Sequence, residues 1–176
     1  MEFENFKIRL LQPNEGKAFF NLIENNRSRL EDFFAGTVSK TKTLADTLLY
    51  CEEIQEKIKN FNYLPYMITD TNTGEFIGLV DMKNIDKNLP KAELGSFIDK
   101  CYESKGIVTE AAKLVVEHIV KEYKFIKLLC RANARNKGSI AVILKNGFEL
   151  EGTIRRDYKT TKGEVVDLNY YGKVFD

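Results

Sequence analysis

The chain has no tryptophan, one histidine, three cysteines and three prolines in 176 residues. Each shortage excludes something. The single histidine, His118, falls mid-helix and reads as a helix-surface residue, so a serine or cysteine nucleophile would lack its customary base. Cys51, Cys101 and Cys130 are odd in number and far apart. They form no CxxC pair, and they suit a reducing cytosol rather than a disulfide scaffold. Three prolines and eleven glycines are too few for a low-complexity linker. There is no excess of either charge: 27 basic and 26 acidic residues leave +1. A nucleic-acid binder normally shows a basic surplus, so none is expected here. No long hydrophobic run is present. The longest stretch free of charged residues, Asn60–Thr69, is well short of the ~18 that a membrane span needs. Met1-Glu-Phe-Glu-Asn5 is not a secretory signal, and the Asn26-Arg-Ser28 glycosylation match then has no meaning. A cytoplasmic protein with no membrane partner is expected.

What is present is material for a core. Hydrophobic residues make up 43% of the chain, with twelve phenylalanines and eight tyrosines. The length fits one domain, residues 1–176, at ~100–200 residues per domain.

Hydrophobic periodicity then divides the chain. Lys7–Leu11 alternates as a strand. Pro13 opens a helix to about Asn26, and Arg27–Lys42 reads as irregular. Thr43–Lys59 is a helix with Thr43 and Asp46 spaced as a capping box. Strands follow at Tyr66–Asp70 and Glu75–Ile85 around the turn Thr71–Gly74, then at Ala92–Asp99. Gly106–Tyr123 is a helix whose Val108, Ala111, Ala112, Val115 and Ile119 share one face. Lys127–Ala134 is a strand, Asn136–Asn146 a short helix stopped by Gly147, and Phe148–Tyr158 with Val165–Val174 a closing hairpin. The order is β-α-α-β-β-β-α-β-α-β-β. It predicts an α/β (α+β) fold with a mixed central sheet of about seven strands and helices on both faces.

Two segments carry chemistry. In the first, the strand Lys91–Asp99 runs through a short loop into the helix at Gly106. The opening amides of a helix have no partner and its dipole is positive there, so anions, phosphate above all, are attracted. Lys105 adds charge and Gly106 permits close approach. The loop is neither a Walker A motif nor GxGxxG. In the second, Asn133 ends a strand, Asn136 takes an N-cap position, Ser139 follows in the first turn, and Gly147-Phe148 and Glu151-Gly152 come after.

Taken together these segments resemble the GNAT superfamily of acyl-CoA N-acyltransferases, most closely its RimJ/RimL-like branch, which acetylates ribosomal-protein N-termini. The resemblance spans nearly the whole chain. It runs from Ile8-Arg-Leu-Leu11 and Asn26–Leu30 through Lys91–Gly95, Lys105–Ala111, Asn136-x-x-Ser139, Gly147-Phe148 and Glu151-Gly152 to Asp167–Tyr171. It implies acetyl-CoA as cosubstrate and no metal. Glu103, Ser104, Lys105, Gly106, Ile107, Val108 and Thr109 would cradle the diphosphate. Phe97 and Ile98 would pair with the pantetheine arm, with Asn133, Asn136 and Ser139 along the rest of it. Three residues depart from the pattern: Glu103 replaces an Arg or Gln, Ser104 a frequent Gly, and Val108 a Gly or Ala.

The implied reaction is direct attack of a neutral amine on the thioester. Positioning alone is worth up to ~7–11 kcal/mol, and a backbone amide near Phe97 or Ile98 can stabilise the oxyanion. Glu93 and Asp157 are the candidate bases. Ser139 is the candidate acid, because Ile143 stands where many members carry a tyrosine. An α-amine, with pKa ~7.7–8.0, needs less base than lysine at ~10.4, which favours an α-amine acceptor. Phe33, Phe34, Glu93 and Tyr158 are candidate acceptor contacts, near the basic Arg155, Arg156, Lys159 and Lys162. A protein N-terminus, including a ribosomal protein's, is the expected acceptor, bound by a monomer or homodimer. The alternatives are a polyamine, amino sugar or antibiotic; a non-catalytic acyl-CoA-binding or interaction module; and an α/β domain with an anion site and no acyl chemistry.

Overall fold

The computed structural model describes residues 1–175. One eight-stranded sheet runs through it in the order β1-β2-β3-β4-β5-β6-β8-β7. The strands are β1 (Glu2–Phe3), β2 (Phe6–Leu10), β3 (Leu64–Asp70), β4 (Phe76–Asp86), β5 (Lys91–Ile98), β6 (Lys127–Ala132), β7 (Glu149–Lys159) and β8 (Val165–Val174). All neighbours pair antiparallel except β5 and β6, which run parallel. The helices are α1 (Gly16–Leu30), α2 (Ala35–Lys40), α3 (Leu44–Lys59), α4 (Ile107–Tyr123) and α5 (Lys137–Lys145). No helix among the described residues is long and apolar enough to cross a membrane.

Each face of the sheet buries its own core. On one, Ala111, Ala112, Val115 and Ile119 of α4 pack on Val80, Met82, Leu94 and Leu128. On the other, Phe19, Leu22 and Ile23 of α1 and Ile54 of α3 pack on Met67, Leu79 and Phe97. Alternation along β4 and β5 therefore assigns side chains to faces. Leu79, Asp81 and Lys83, with Glu93, Gly95 and Phe97, lie on the α1–α3 face.

The structure has eight strands where about seven were expected, because the two-residue β1 escapes any periodicity test. The first helix also shifts. It runs Gly16–Leu30 rather than from Pro13 to Asn26. Asn26 does not stop it: the side chain is buried and donates to Leu22 O and Asp99 Oδ2. The next turn is kept because Leu30 joins the core and Arg27 donates to the Val38 and Thr41 carbonyls. The rest of the expected irregular stretch contains α2. The Thr43–Asp46 capping box forms as read. Such a cap contributes about 1 kcal/mol.

Candidate active site

The parallel pair β5–β6 is short. Lys91, Ala92 and Glu93 pair with Lys127, Leu128 and Leu129, and the pairing then stops. Beyond Glu93 the strands part, and a cleft of about 420 Å³ opens between them. Leu94, Gly95 and Ser96 form one wall, and Cys130, Arg131 and Ala132 the other. The parting leaves β5 without a strand partner on its β6 side beyond Glu93. Ile98 O accepts from Arg29 at 3.4 Å, and the rest of that edge is one on which an extended, amide-bearing chain can hydrogen-bond.

At the end of β5 the chain turns through Lys100–Tyr102 and enters α4 at Gly106, whose φ is +80°. The amide of Glu110 is the first in α4 to find a helical acceptor, Gly106 O, at 3.0 Å. Among the described residues, the six preceding amides, Ser104–Thr109, donate to nothing within the protein. A Cβ at Gly106 would meet no atom within 4 Å, so the turn is open to solvent. Aligned free N–H groups at the positive end of a 17-residue helix fit a diphosphate. Glu103, the unfavourable departure, is turned aside: its carboxylate pairs with Arg29 of α1. Lys105 stands exposed, with its ammonium 5.1 Å from the Tyr102 ring centroid.

Across the cleft, Asn136 caps α5 by accepting from Ser139 N at 3.1 Å. Asn133 Oδ1 accepts from Arg135 N at 2.8 Å, fixing the turn between β6 and α5. Asn133, Asn136 and Ser139 all line the cleft. Asn146, at the end of α5, donates to Thr109 O at 3.2 Å and so ties α5 to the first turn of α4.

On the α1–α3 side the floor is charged. Glu93, 8% exposed, accepts from Asn84 Nδ2 at 2.8 Å. Its other oxygen lies 3.0 Å from Arg131 Nε and 3.5 Å from Lys83 Nζ. The same guanidinium reaches Asp157 at 3.5 Å, and Tyr170 donates to Asp157 at 2.7 Å. Arg131 thus joins both carboxylates that the sequence proposed as bases. Burial lowers its pKa, but hydrogen bonding and charge from Glu93, with Tyr170, raise it overall. Lys83 is raised chiefly by the charge of Asp81, against burial and with help from Glu93. Both cations therefore stay protonated.

Aromatic rings complete the cleft. Phe34 packs edge-on against Phe97, with centroids 5.2 Å apart, and carries the Lys83 ammonium over its face at 5.5 Å. Phe33 is 45% exposed at the mouth. Tyr158 Oη accepts from Ala35 N at 3.3 Å, and Lys162 pairs with Asp32 at 3.3 Å, so the β7–β8 hairpin is clasped to the segment before α2.

Of the residues singled out in the sequence, Phe33, Phe34, Glu93, Asn133, Asn136, Ser139 and Tyr158 share this cleft. Asp157 adjoins it through Arg131. Phe97 and Ile98 are buried, and neither they nor residues 103–109 are among the residues that line the cleft. Sequence reading missed Asp81, Lys83, Arg131, Tyr50 and Tyr63. Asp81, Lys83 and Arg131 lie on strands, Tyr50 on α3 and Tyr63 just before β3, and it is the fold that gathers them. No cluster of three or more His, Cys, Asp or Glu side chains able to hold a metal occurs among the described residues.

Comparison with known proteins agrees with this geometry. Residues 5–149 match the family model described as the acetyltransferase (GNAT) domain. A putative ribosomal N-acetyltransferase, YdaF of Bacillus subtilis (strain 168), is 30% identical over 171 residues, covering 96% of this chain and 90% of that protein. The crystal structure of the ribosomal-protein-S5-alanine acetyltransferase from Vibrio fischeri superposes with a TM-score of 0.91 at 22% identity, covering 100% and 96% of the two chains. RimL, a ribosomal L7/L12 α-N-protein acetyltransferase solved in complex with coenzyme A, superposes with a TM-score of 0.88 at 19% identity, covering 98% and 95%.

Proposed function

From the premise that the chain belongs to the GNAT acetyltransferase family, we propose that it acetylates the N-terminal α-amine of a protein, with a ribosomal protein as acceptor and the cytoplasm as compartment. The whole of residues 1–176 serves as one catalytic domain. The chain is an N-acetyltransferase that uses acetyl-CoA, which supplies the thioester. The observation that carries the reading is the coincidence of two features: six free amides at the start of α4 and an unpaired strand edge on β5 leading from them into the cleft.

The amides of Ser104–Thr109 hold the diphosphate, with Lys105 adding charge. The edge at Phe97 and Ile98 aligns the pantetheine arm, and a β5 amide polarises the thioester carbonyl. Asn133, Asn136 and Ser139 flank the sulfur, with the Ser139 hydroxyl placed to protonate the leaving thiolate. Phe33, Phe34 and Tyr158 wall the acceptor side. Glu93 and Asp157, joined by Arg131, fix the charge of the floor.

Two properties favour a protein over a small polyamine. An α-amine is already roughly a tenth to a sixth neutral at pH 7. The exposed Arg155, Arg156 and Lys159 on β7 would repel a polycation and attract an acidic protein surface. A peptide-array acetylation assay with acetyl-CoA tests this. Free N-termini should be modified. Spermidine modified in preference to every peptide would overturn the acceptor assignment.

A further inference from the structure

Two carboxylate oxygens of cleft-lining residues are buried with no hydrogen-bond partner among the described residues: Asp32 Oδ1, whose other oxygen pairs with Lys162 at the partly exposed rim, and Asp81 Oδ1, deep inside. Asp81 is 3% exposed and lines the cleft. Its Oδ2 accepts from Tyr63 Oη at 2.9 Å, but its Oδ1 is buried with no hydrogen-bond partner. A buried polar atom left so is destabilising, and more so when charged. The fold nevertheless makes room for it. Asp81 on β4 faces Gly95 on β5, and a Cβ at Gly95 would collide with Oδ1. Glu93 differs, because Asn84, Arg131 and Lys83 already occupy its oxygens.

The titratable groups facing Asp81 are Tyr63 just before β3, Tyr50 on α3, Lys83 on β4, Glu93 on β5 and Cys130 on β6. Burial, and after it nearby charges including Asp81, lift Tyr63 well above its ordinary value. Burial likewise puts Tyr50 at about 12, so both phenols stay neutral donors at working pH.

We propose that Asp81 is a catalytic residue of the acetyl transfer, its free Oδ1 receiving the acceptor's ammonium where β5 and β6 part and taking one proton from it. The inference rests on the acetyltransferase reading above. The uncharged nitrogen attacks the thioester carbonyl carbon, the C–N bond forms and the C–S bond breaks. Sulfur leaves with the bonding pair and is protonated by the Ser139 hydroxyl, which regains its proton from the second one that nitrogen gives up. The proton on Asp81 passes to solvent, so amide, free thiol and one proton are the products.

The test begins with free-thiol release from acetyl-CoA across peptides starting with Ser, Ala, Thr or Met, together with diamines and amino sugars. On the acceptor so found, Asp81→Asn should lower kcat about 100-fold or more near pH 7 with the KM for acetyl-CoA unchanged. The deficit should shrink as pH rises past the amine's own pKa, ~7.7–8.0 for an α-amine, because solvent then supplies the neutral amine. A merely structural role would give a deficit independent of pH. Tyr63→Phe serves as second variant should Asp81→Asn not fold. It strips Oδ2 of its donor and should carry the acid-side fall of kcat to higher pH while sparing the high-pH plateau. Wild-type kcat in Asp81→Asn, a deficit constant with pH, or an unmoved Tyr63→Phe profile would overturn the proposal and leave the acetyltransferase reading intact. No thiol release by wild type with any acceptor would overturn that reading, and the proposal with it.

Discussion

The two ends of the cleft are built from different materials. At the proposed cofactor end the groups on offer are the unpartnered backbone amides of six consecutive residues, Ser104–Thr109. At the acceptor end they are side chains gathered from three strands: Asp81 and Lys83 from β4, Glu93 from β5 and Arg131 from β6. A backbone site tolerates side-chain change: the amides of Ser104–Thr109 stay unpartnered whatever side chains stand at 103, 104 and 108. A side-chain site has no such tolerance, since each charge is held by its neighbours. Substitutions should therefore cost little at the first end and much at the second.

The largest expected effect is at the acceptor end. Gly95→Ala puts a methyl group against Asp81 Oδ1 and 3.1 Å from Lys83 Nζ. It should lower kcat about 100-fold, with calorimetric coenzyme A affinity retained. Next, Arg131→Ala strands the buried Glu93 beside Lys83 and frees Asp157. Removing one partner of a buried pair costs about 3–5 kcal/mol. Arg131 is partly exposed, so urea denaturation should show the lower end of that range.

At the cofactor end the effects are small. Lys105→Ala should weaken coenzyme A binding by no more than about fivefold, the worth of one exposed charge. Glu103→Gln releases Arg29 from its pairing and should strengthen binding modestly. A fall in affinity there would mean that Glu103 itself holds an amide or the ligand. The smallest effect is in thiol reactivity. Burial raises Cys51 to about 11 and pushes Cys130 up further. At pH 8 both should resist Ellman's reagent, while the exposed Cys101 in the loop before α4 reacts and is shielded by coenzyme A.

The same contrast explains what could be read from the sequence. The helix opening at Gly106, the Asn136 cap and the Thr43–Asp46 box are local, so a few adjacent residues announce them. The α1 boundary could not be read locally, because Asn26 and Arg27 are held in the helix by partners at Asp99, Val38 and Thr41. The Arg131 bridge between Glu93 and Asp157 spans three separate strands, and no periodicity registers it. Asp81 was invisible for the same reason. On an apolar strand an aspartate is unremarkable until Gly95 is seen to lie opposite it.

The central claim is that unpartnered amides at the start of α4 hold the diphosphate of coenzyme A. Amide proton and nitrogen chemical shifts of the 15N-labelled protein, titrated with coenzyme A and separately with pantetheine, test it most directly. Coenzyme A should move Ser104–Thr109 strongly downfield, while pantetheine, lacking the diphosphate, leaves them in place and perturbs only the β5 edge. Saturation by coenzyme A with those six signals unmoved would contradict the account.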